Sequence, residues 1–270
     1  MPQQPRATIS GHSAVYVILA DPVAQVRTPQ MMNAHFDAIG LDGVLVPLHV
    51  PPEALATVIA GLRPVRNLRG IVITVPHKQA VLALVDDATE AARQVGAVNV
   101  IRRDADGRLT GGQFDGEGFC TGLEQAGHAI AGRRVFLSGA GGAASGIGFA
   151  LARHGASALT IHNRDMTKAA ALAARIAAAY PGCAVAAGAD PAGHAIAVNG
   201  TSLGMAPGDG SPIDVARLDP GSVAAEVIMT PAATPYLAAA TARGLPTHGG
   251  AAMLQTQVAL LTAFMQGEAG

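Results

Sequence analysis

A glycine-rich run in the middle of the chain, Val135-Phe136-Leu137-Ser138-Gly139-Ala140-Gly141-Gly142-Ala143-Ala144-Ser145-Gly146, carries the residue types that a pyrophosphate requires. Small residues let a backbone approach phosphate oxygens closely. A helix beginning just after such a turn adds unpaired N–H groups and a positive dipole end. An apolar run precedes the glycines and an alanine-rich helical stretch follows, the strand–turn–helix order of a dinucleotide site. Gly139, Ala140, Gly141, Gly142 and Ala143 are the expected phosphate-facing positions. Methyltransferases also use a glycine turn, and such turns occur without any ligand. The next strand ends in Thr160-Ile161-His162-Asn163-Arg164-Asp165, near the spacing of about 20 residues at which a dinucleotide fold reads the adenosine ribose. An NAD enzyme usually places an acid there. Here Asn163 takes that place, and Arg164 with Lys168 offers a guanidinium and an ammonium to a 2′-phosphate. Asp165 keeps the alternative open, because it can pair with Arg164 or take the ribose itself. Read as solvated charges at a helix start, Arg164 and Lys168 bind nothing. NADP is the expected cofactor, with NAD as the alternative.

These groups need a scaffold, and the hydrophobic periodicity supplies one. Strand-like runs fall at 14–19, 44–50, 70–75 and 97–103, the last returning through the Asp104-Ala105-Asp106-Gly107 turn as 108–112. Helical spacing is expected over 28–39, stopped by Gly40, with Thr28 as N-cap and Pro29 in the first turn. Further helices are expected after Pro51-Pro52-Glu53 as far as residue 62, over 77–85, over 88–95 and over 115–127. From residue 133 the pattern is a plain βαβ: strand 133–138, helix 143–154, strand 158–163, helix 166–179. Strands at 184–187, 196–199 and 222–228 follow, then helices over 234–243 and 251–266. Alternation of this kind implies an α/β fold with mostly parallel sheets and right-handed crossovers. The glycine loop lies so far into the chain that the nucleotide domain comes second, behind a separate domain.

Composition narrows the function classes. Across 270 residues, half of them hydrophobic, the formal net charge is −1, so no basic excess exists to neutralise a nucleic acid. The chain has no Trp and little Tyr or Phe for base stacking. Cys120 and Cys183 are isolated, which fits a reduced cytoplasmic protein without a disulfide framework or a metal site. Met1-Pro2-Gln3-Gln4-Pro5-Arg6 reads as a frayed tail with no apolar signal core, and no apolar run is long enough for a membrane span. A small-molecule substrate is the expected partner, and the protein is expected as a monomer or homodimer.

Other stretches now join the loop. Gly70-Ile71-Val72-Ile73-Thr74-Val75-Pro76-His77-Lys78 is a strand delivering a lysine just past its C-terminal end. Gly96-Ala97-Val98-Asn99 and Gly111-Gly112-Gln113-Phe114-Asp115-Gly116-Glu117-Gly118 follow. Later come Val198-Asn199-Gly200-Thr201-Ser202-Leu203-Gly204-Met205 and Gly250-Ala251-Ala252-Met253-Leu254-Gln255-Thr256-Gln257. This ordered set, spanning 14–264, resembles the shikimate dehydrogenase family, including its quinate/shikimate branch. The resemblance implies an N-terminal α/β substrate domain over 1–112 and 246–270 and a Rossmann-type doubly wound domain over 113–245, with the active site in the cleft between them. Lys78 looks like the family's catalytic lysine, able to donate the proton that a developing alkoxide takes up. Asp115 resembles its partner aspartate, and can also cap the helix it opens. Asn99 and Gln257 match positions that bind substrate hydroxyls, and Thr74 matches one near the ring. Asn199, Thr201, Ser202 and Met205 fall in the loop beside the nicotinamide, with Met205 packing on the ring, and Gly250 belongs to the cofactor side.

The departures bear on the substrate. The family's carboxylate clamp reads Ser-x-Ser-Pro, and here the first hydroxyl has become Val26 while Thr28 keeps the second. The family's asparagine falls at Val72, its threonine before the aspartate at Phe114, and its carboxylate-holding tyrosine at Met229. Glu226 replaces an aspartate, and Gly249-Gly250 replaces Asp-Gly. The expectation is hydride transfer between NAD(P) and a secondary alcohol or ketone on a ring (shikimate, quinate or a related cyclic polyol) at a site with an altered acid-binding end. A true shikimate 3-dehydrogenase, a non-catalytic NAD(P)-binding sensor and another two-domain dehydrogenase are the alternatives.

Overall fold

The structure is a computed structural model that describes residues 8–268, so the tail read at residues 1–6 lies outside the described residues. The chain divides into two compact units. The first holds residues up to Phe114 together with those from Val258 onward, and the second is Asp115–Gln257. These divisions, at 114/115 and 257/258, lie later at both places than the expected 112/113 and 245/246.

The first unit is built on a six-stranded sheet. Its strands are β1 (Ala14–Ala20), β2 (Gly43–His49), β3 (Leu68–Ile73), β4 (Asp87–Ala88), β5 (Val100–Arg103) and β6 (Leu109–Gly112), in the order β2-β1-β3-β5-β6-β4. β1 runs parallel to both β2 and β3, joined through α1 (Thr28–Ile39) and α2 (Leu55–Leu62). Parallel neighbours need such crossovers, because a tight turn cannot bring the chain back in the same direction. β5 and β6 form the expected antiparallel hairpin, so this sheet is mixed. One face is an aliphatic core that includes Val17, Leu19, Ile59, Leu68, Ile71 and Ile73. On the other, the Tyr16 and Phe36 rings pack 4.8 Å apart.

Three local expectations are corrected. Thr28 is not the N-cap of α1; Arg27 holds that place without a side-chain cap bond, and Thr28 is the buried first helical residue. Pro29 has no N–H to be capped, which lowers the demand for a capping oxygen there. Residues 77–85 are not an α-helix: a turn runs from Thr74, and only Ala80–Leu84 coil, as a 3-10 helix. Residues 88–95 start as strand. Asp87–Ala88 pairs with β6, and Thr89 accepts from the Ala92 N–H to begin α3 (Glu90–Val95) at Glu90.

The second unit carries an all-parallel sheet of β7 (Arg134–Ser138), β8 (Ala158–His162), β9 (Ala184–Ala187), β10 (Ile196–Asn199), β11 (Val223–Glu226) and β12 (Thr247–His248). Its order is β12-β11-β10-β7-β8-β9. Counted from β7, this is the 3-2-1-4-5-6 order of a dinucleotide-binding sheet, with its switch point between β7 and β10. Helices α4 (Asp115–Gln125), α5 (Gly142–Arg153), α6 (Met166–Ala179) and α7 (Pro235–Ala242) belong to this unit. α8 (Gly250–Gln266) begins in it and ends in the first unit.

Candidate active site

Parallel register brings the ends of four strands of the second unit to one level: His162, Ser138, Asn199 and Glu226 are successive neighbours. The glycine turn leaves the sheet there. Gly139 has φ +123°, a conformation open to glycine, and a Cβ on it would lie 3.0 Å from Gly200 O. A Cβ on Gly200 would lie 2.9 Å from Ala144 Cβ, so the turn and the loop after β10 pack directly on each other at the switch point. Gly141 is exposed, with nothing within 4 Å of its Cβ position, and α5 starts there without a side-chain cap. Ala140, Gly142 and Ala143 are half-buried around that start. Uncapped N–H groups beside an open glycine fit a dinucleotide pyrophosphate, and these residues would hold it.

At the end of β8, Asp165 caps α6: its carboxylate accepts from Thr167 N at 3.0 Å, and the Asn163 side chain donates to Asp165 O at 3.1 Å. One oxygen of the carboxylate that keeps the cofactor choice open is thus engaged in capping the helix. Arg164 and Lys168 are exposed.

The loop after β10 has a rigid base and an open tip. Asn199 is fully buried, and its Oδ1 accepts from both Thr201 N (2.9 Å) and Thr201 Oγ1 (2.7 Å). Its amide donates to Leu203 O and to Glu226. Ser202, Leu203 and Met205 are exposed. Gly250 is buried; a Cβ on it would run into the Val227 carbonyl, so glycine there lets the start of α8 pack directly on the backbone just past β11.

In the first unit, Thr74, Lys78 and Asn99 gather at the C-terminal edge of β3. Thr74 N donates to Leu19 O, Ile73 N to Asn99 O, and Val98 N to Lys78 O at 2.8 Å. Lys78 and Thr74 are half-buried, and Asn99 is buried. His77, not singled out from the sequence as a functional residue, anchors this turn: it is buried, and its Nε2 lies 2.8 Å from Val50 O, so the imidazole donates there. Asn99 Oδ1 accepts from Phe114 N, which sets the orientation of its amide. Thr28 lies buried at the start of α1.

Asp115 opens α4 in the second unit, 2% exposed, and accepts from Gln257 Nε2 at 2.9 Å. These two residues, distant in sequence, are one buried pair. Thr234 and Asp209 escaped the sequence reading as site residues. Thr234 caps α7 and donates to Glu226, whereas Asp209 accepts from Gly204 N and Ala206 N and so closes the 199–206 loop. The Thr234-Pro235 pair at the helix start was the available signal.

Of the altered positions, Val26 is half-buried beside the exposed Arg27, and Val72 is buried in β3. Phe114 is half-buried, with its ring 5.3 Å from that of Phe264. In the second unit, Met229 is exposed. Among the described residues no group of His, Cys, Asp and Glu could hold a metal ion, and no helix is long and apolar enough to cross a membrane.

Residues 18–101 match the family model described as the shikimate dehydrogenase substrate binding domain. A shikimate dehydrogenase (NADP(+)) of Rubrobacter xylanophilus is 41% identical over 258 residues, covering 92% of this chain and 89% of that protein. The ligand-free 5-ketofructose reductase of Gluconobacter sp. strain CHM43 superposes with a TM-score of 0.86 at 34% identity, covering 96% of this chain and 94% of that one. A shikimate dehydrogenase in complex with NADP+ superposes with a TM-score of 0.91 at 30% identity, covering 98% of this chain and 94% of that one. With an N-terminal substrate domain, a Rossmann-type domain and this likeness along nearly its whole length, the chain belongs to the shikimate dehydrogenase family of NAD(P)-dependent oxidoreductases.

Proposed function

We propose that this protein interconverts a polyhydroxylated ketone and its secondary alcohol with NADP as cofactor, and that its preferred substrate lacks the carboxylate of shikimate. The observation that carries the reading is Val26, an apolar side chain where the family clamp has a hydroxyl. A carboxylate robbed of a hydroxyl donor loses a charge-assisted hydrogen bond worth roughly 1.5–3 kcal/mol. It also faces a group that desolvates without compensating. Met229 in place of the tyrosine acts in the same sense. The likeness to a reductase named for 5-ketofructose, a compound without a carboxylate, supports the reading. The commitment of Asp165 to the α6 cap, with Arg164 and Lys168 exposed, supports NADP over NAD.

In this reading the reacting end keeps its groups. Bound reduced nicotinamide supplies hydride to the carbonyl carbon. The Lys78 ammonium stabilises the oxygen as it becomes alkoxide and gives it a proton. Asp115, held by Gln257, accepts a hydrogen bond from a substrate hydroxyl. Asn99, Thr74 and Thr28 bind further hydroxyls. The domain up to Phe114 is the substrate domain, and the glycine-loop domain holds the cofactor.

The test is turnover followed at 340 nm with NADPH and NADH in parallel, against 5-ketofructose, shikimate, quinate and cyclic polyols. Turnover of an uncharged ketone or polyol, with shikimate poor, supports the proposal. The V26S/M229Y double variant should then raise kcat/KM on shikimate about tenfold or more, one hydrogen bond's worth. Saturable turnover of shikimate at micromolar concentration by the unaltered protein overturns the altered-substrate reading. It favours instead a shikimate dehydrogenase, the reaction of the 41% identical relative.

A further inference from the structure

The structure assigns to Glu226 a positioning role: through Asn199 and Thr234 this buried carboxylate holds the 199–206 loop in the shape that meets the nicotinamide half of the cofactor. The inference rests on the family resemblance in one respect, the expectation that this loop lies beside the nicotinamide.

Glu226 ends β11, is 0% exposed, and is the register partner of Asn199. Its two oxygens accept from Thr234 Oγ1 at 3.0 and 2.9 Å, and Oε2 also accepts from Asn199 Nδ2 at 3.4 Å. Each partner passes the constraint on. Thr234, also fully buried, accepts from Leu237 N at the start of α7. A Cβ on Gly204, where φ is +112°, would lie 3.3 Å from Thr234 Cβ. Asn199 grips Thr201 twice and Leu203 once. Thr201 Oγ1 in turn accepts from Leu203 N at 3.0 Å. Two branches from one carboxylate therefore converge on the backbone of 201–204.

The chemistry explains why an acid sits there. Both neighbours must donate to it, Thr234 because its oxygen is already an acceptor for α7, and Asn199 because its Oδ1 is taken by Thr201. A carboxylate offers acceptors only, and so satisfies both at once. Burial pushes the Glu226 carboxyl above its usual range, and the hydrogen bonds from Thr234 and Asn199 oppose that push. The consequence lies at the tip, where Leu203 and Met205 are 40% and 47% exposed. Their apolar side chains are presented to solvent on a hydrogen-bonded loop, a surface suited to one face of a planar ring.

Two probes separate the cofactor's halves: NADPH, which has both, and 2′,5′-ADP, which has only the phosphorylated adenosine. In E226A the Kd for NADPH should rise about tenfold, from loss of buried hydrogen bonds. The Kd for 2′,5′-ADP should stay within about twofold, because Arg164 and Lys168 do not depend on the network. Backbone amides of 201–206 should lose hydrogen-exchange protection, and E226D, which keeps the acceptors, should recover most of both effects. Unchanged exchange at 201–206 in E226A overturns the proposal, as does equal weakening of both ligands, which marks general damage to the domain. Faster exchange at 201–206 with both Kd values unchanged leaves Glu226 holding the loop but removes the loop from the nicotinamide, and so overturns the cofactor half of the proposal.

Discussion

Lys78 is a half-buried cation on a turn whose backbone is fixed on two sides, by Val98 N donating to Lys78 O and by His77 reaching Val50 O. A solvated surface lysine has no need of such an anchor. K78A should lower kcat about a hundred- to ten-thousand-fold, the usual worth of a general acid, while NADPH affinity measured by fluorescence stays unchanged. Loss of NADPH binding in K78A would show a structural residue instead. At this scale the sequence is informative where a side chain has one dominant job. Lys78 stands out because it lies just past the C-terminal end of an apolar strand, whereas Asn99, Asp115 and Gln257 are picked out by the family motifs that they match. Pairings are invisible to such reading. The Gln257–Asp115 hydrogen bond joins residues far apart in the chain, and the Glu226–Thr234–Asn199 network exists only once β10 and β11 are in register. Asp165 is a case in between: an Asp just ahead of a helix is an N-cap signal, and the bond from Thr167 N to its Oδ1 shows that cap formed.

Helices and strands with strong periodicity are well marked by sequence, as α1, α5, α6, β7 and β8 illustrate, because the apolar faces they bury set the period. The stretch after β3 is not. Residues 77–95 are short, partly polar and governed by long-range bonds, such as Asp86 accepting from Leu109 N, so local periodicity misjudges them. The two-residue strands β4 and β12 are too short to have a period. Close helix packing leaves a different trace, runs of glycine inside helical stretches. A Cβ on Gly116 in α4 would run into the Gly146 carbonyl of α5 and lie 2.7 Å from Ala150 Cβ. Since those neighbours include backbone, the helices must separate. G116A should destabilise the protein by about 1–3 kcal/mol. It should also lower kcat, because Asp115 is the residue before it. G61A is the contrast: Gly61 lies within α2 with nothing within 4 Å of its Cβ position, so alanine should stabilise by about 0.5–1 kcal/mol and leave turnover unchanged. Thermal unfolding and steady-state kinetics on the two variants check both statements.

For the molecule as a whole, a near-neutral charge and two apolar cores mean that its response to acid comes from particular buried groups rather than from general repulsion. His248 is the chief candidate. It is 5% exposed, its Nε2 has no hydrogen-bond partner among the described residues, and its ring meets Phe119 and His128 edge-on at 6.1 and 6.2 Å. Burial, and then the neighbouring His128, holds this imidazole below the ordinary histidine range. The folded protein therefore binds a proton at His248 less readily than the unfolded chain does, and stability rises with pH wherever the unfolded state holds more protons. Above about pH 6.5, the ordinary histidine value, both states are neutral here and the group has no effect. As pH falls through that value towards the lower folded pKa, stability is lost. Glu226, raised by burial, works in the opposite direction, so the contribution of His248 is read as the difference between the curves of the unaltered protein and H248F, in which the Glu226 contribution cancels. Melting temperature should thus be flat from pH 8 to 7 and decline below about 6.5, by about 2–4 °C for each kcal/mol lost. In H248F an aromatic ring that carries no proton replaces the imidazole beside Phe119, and the decline across this window should be clearly shallower. An equal slope in H248F would move the acid sensitivity to other groups.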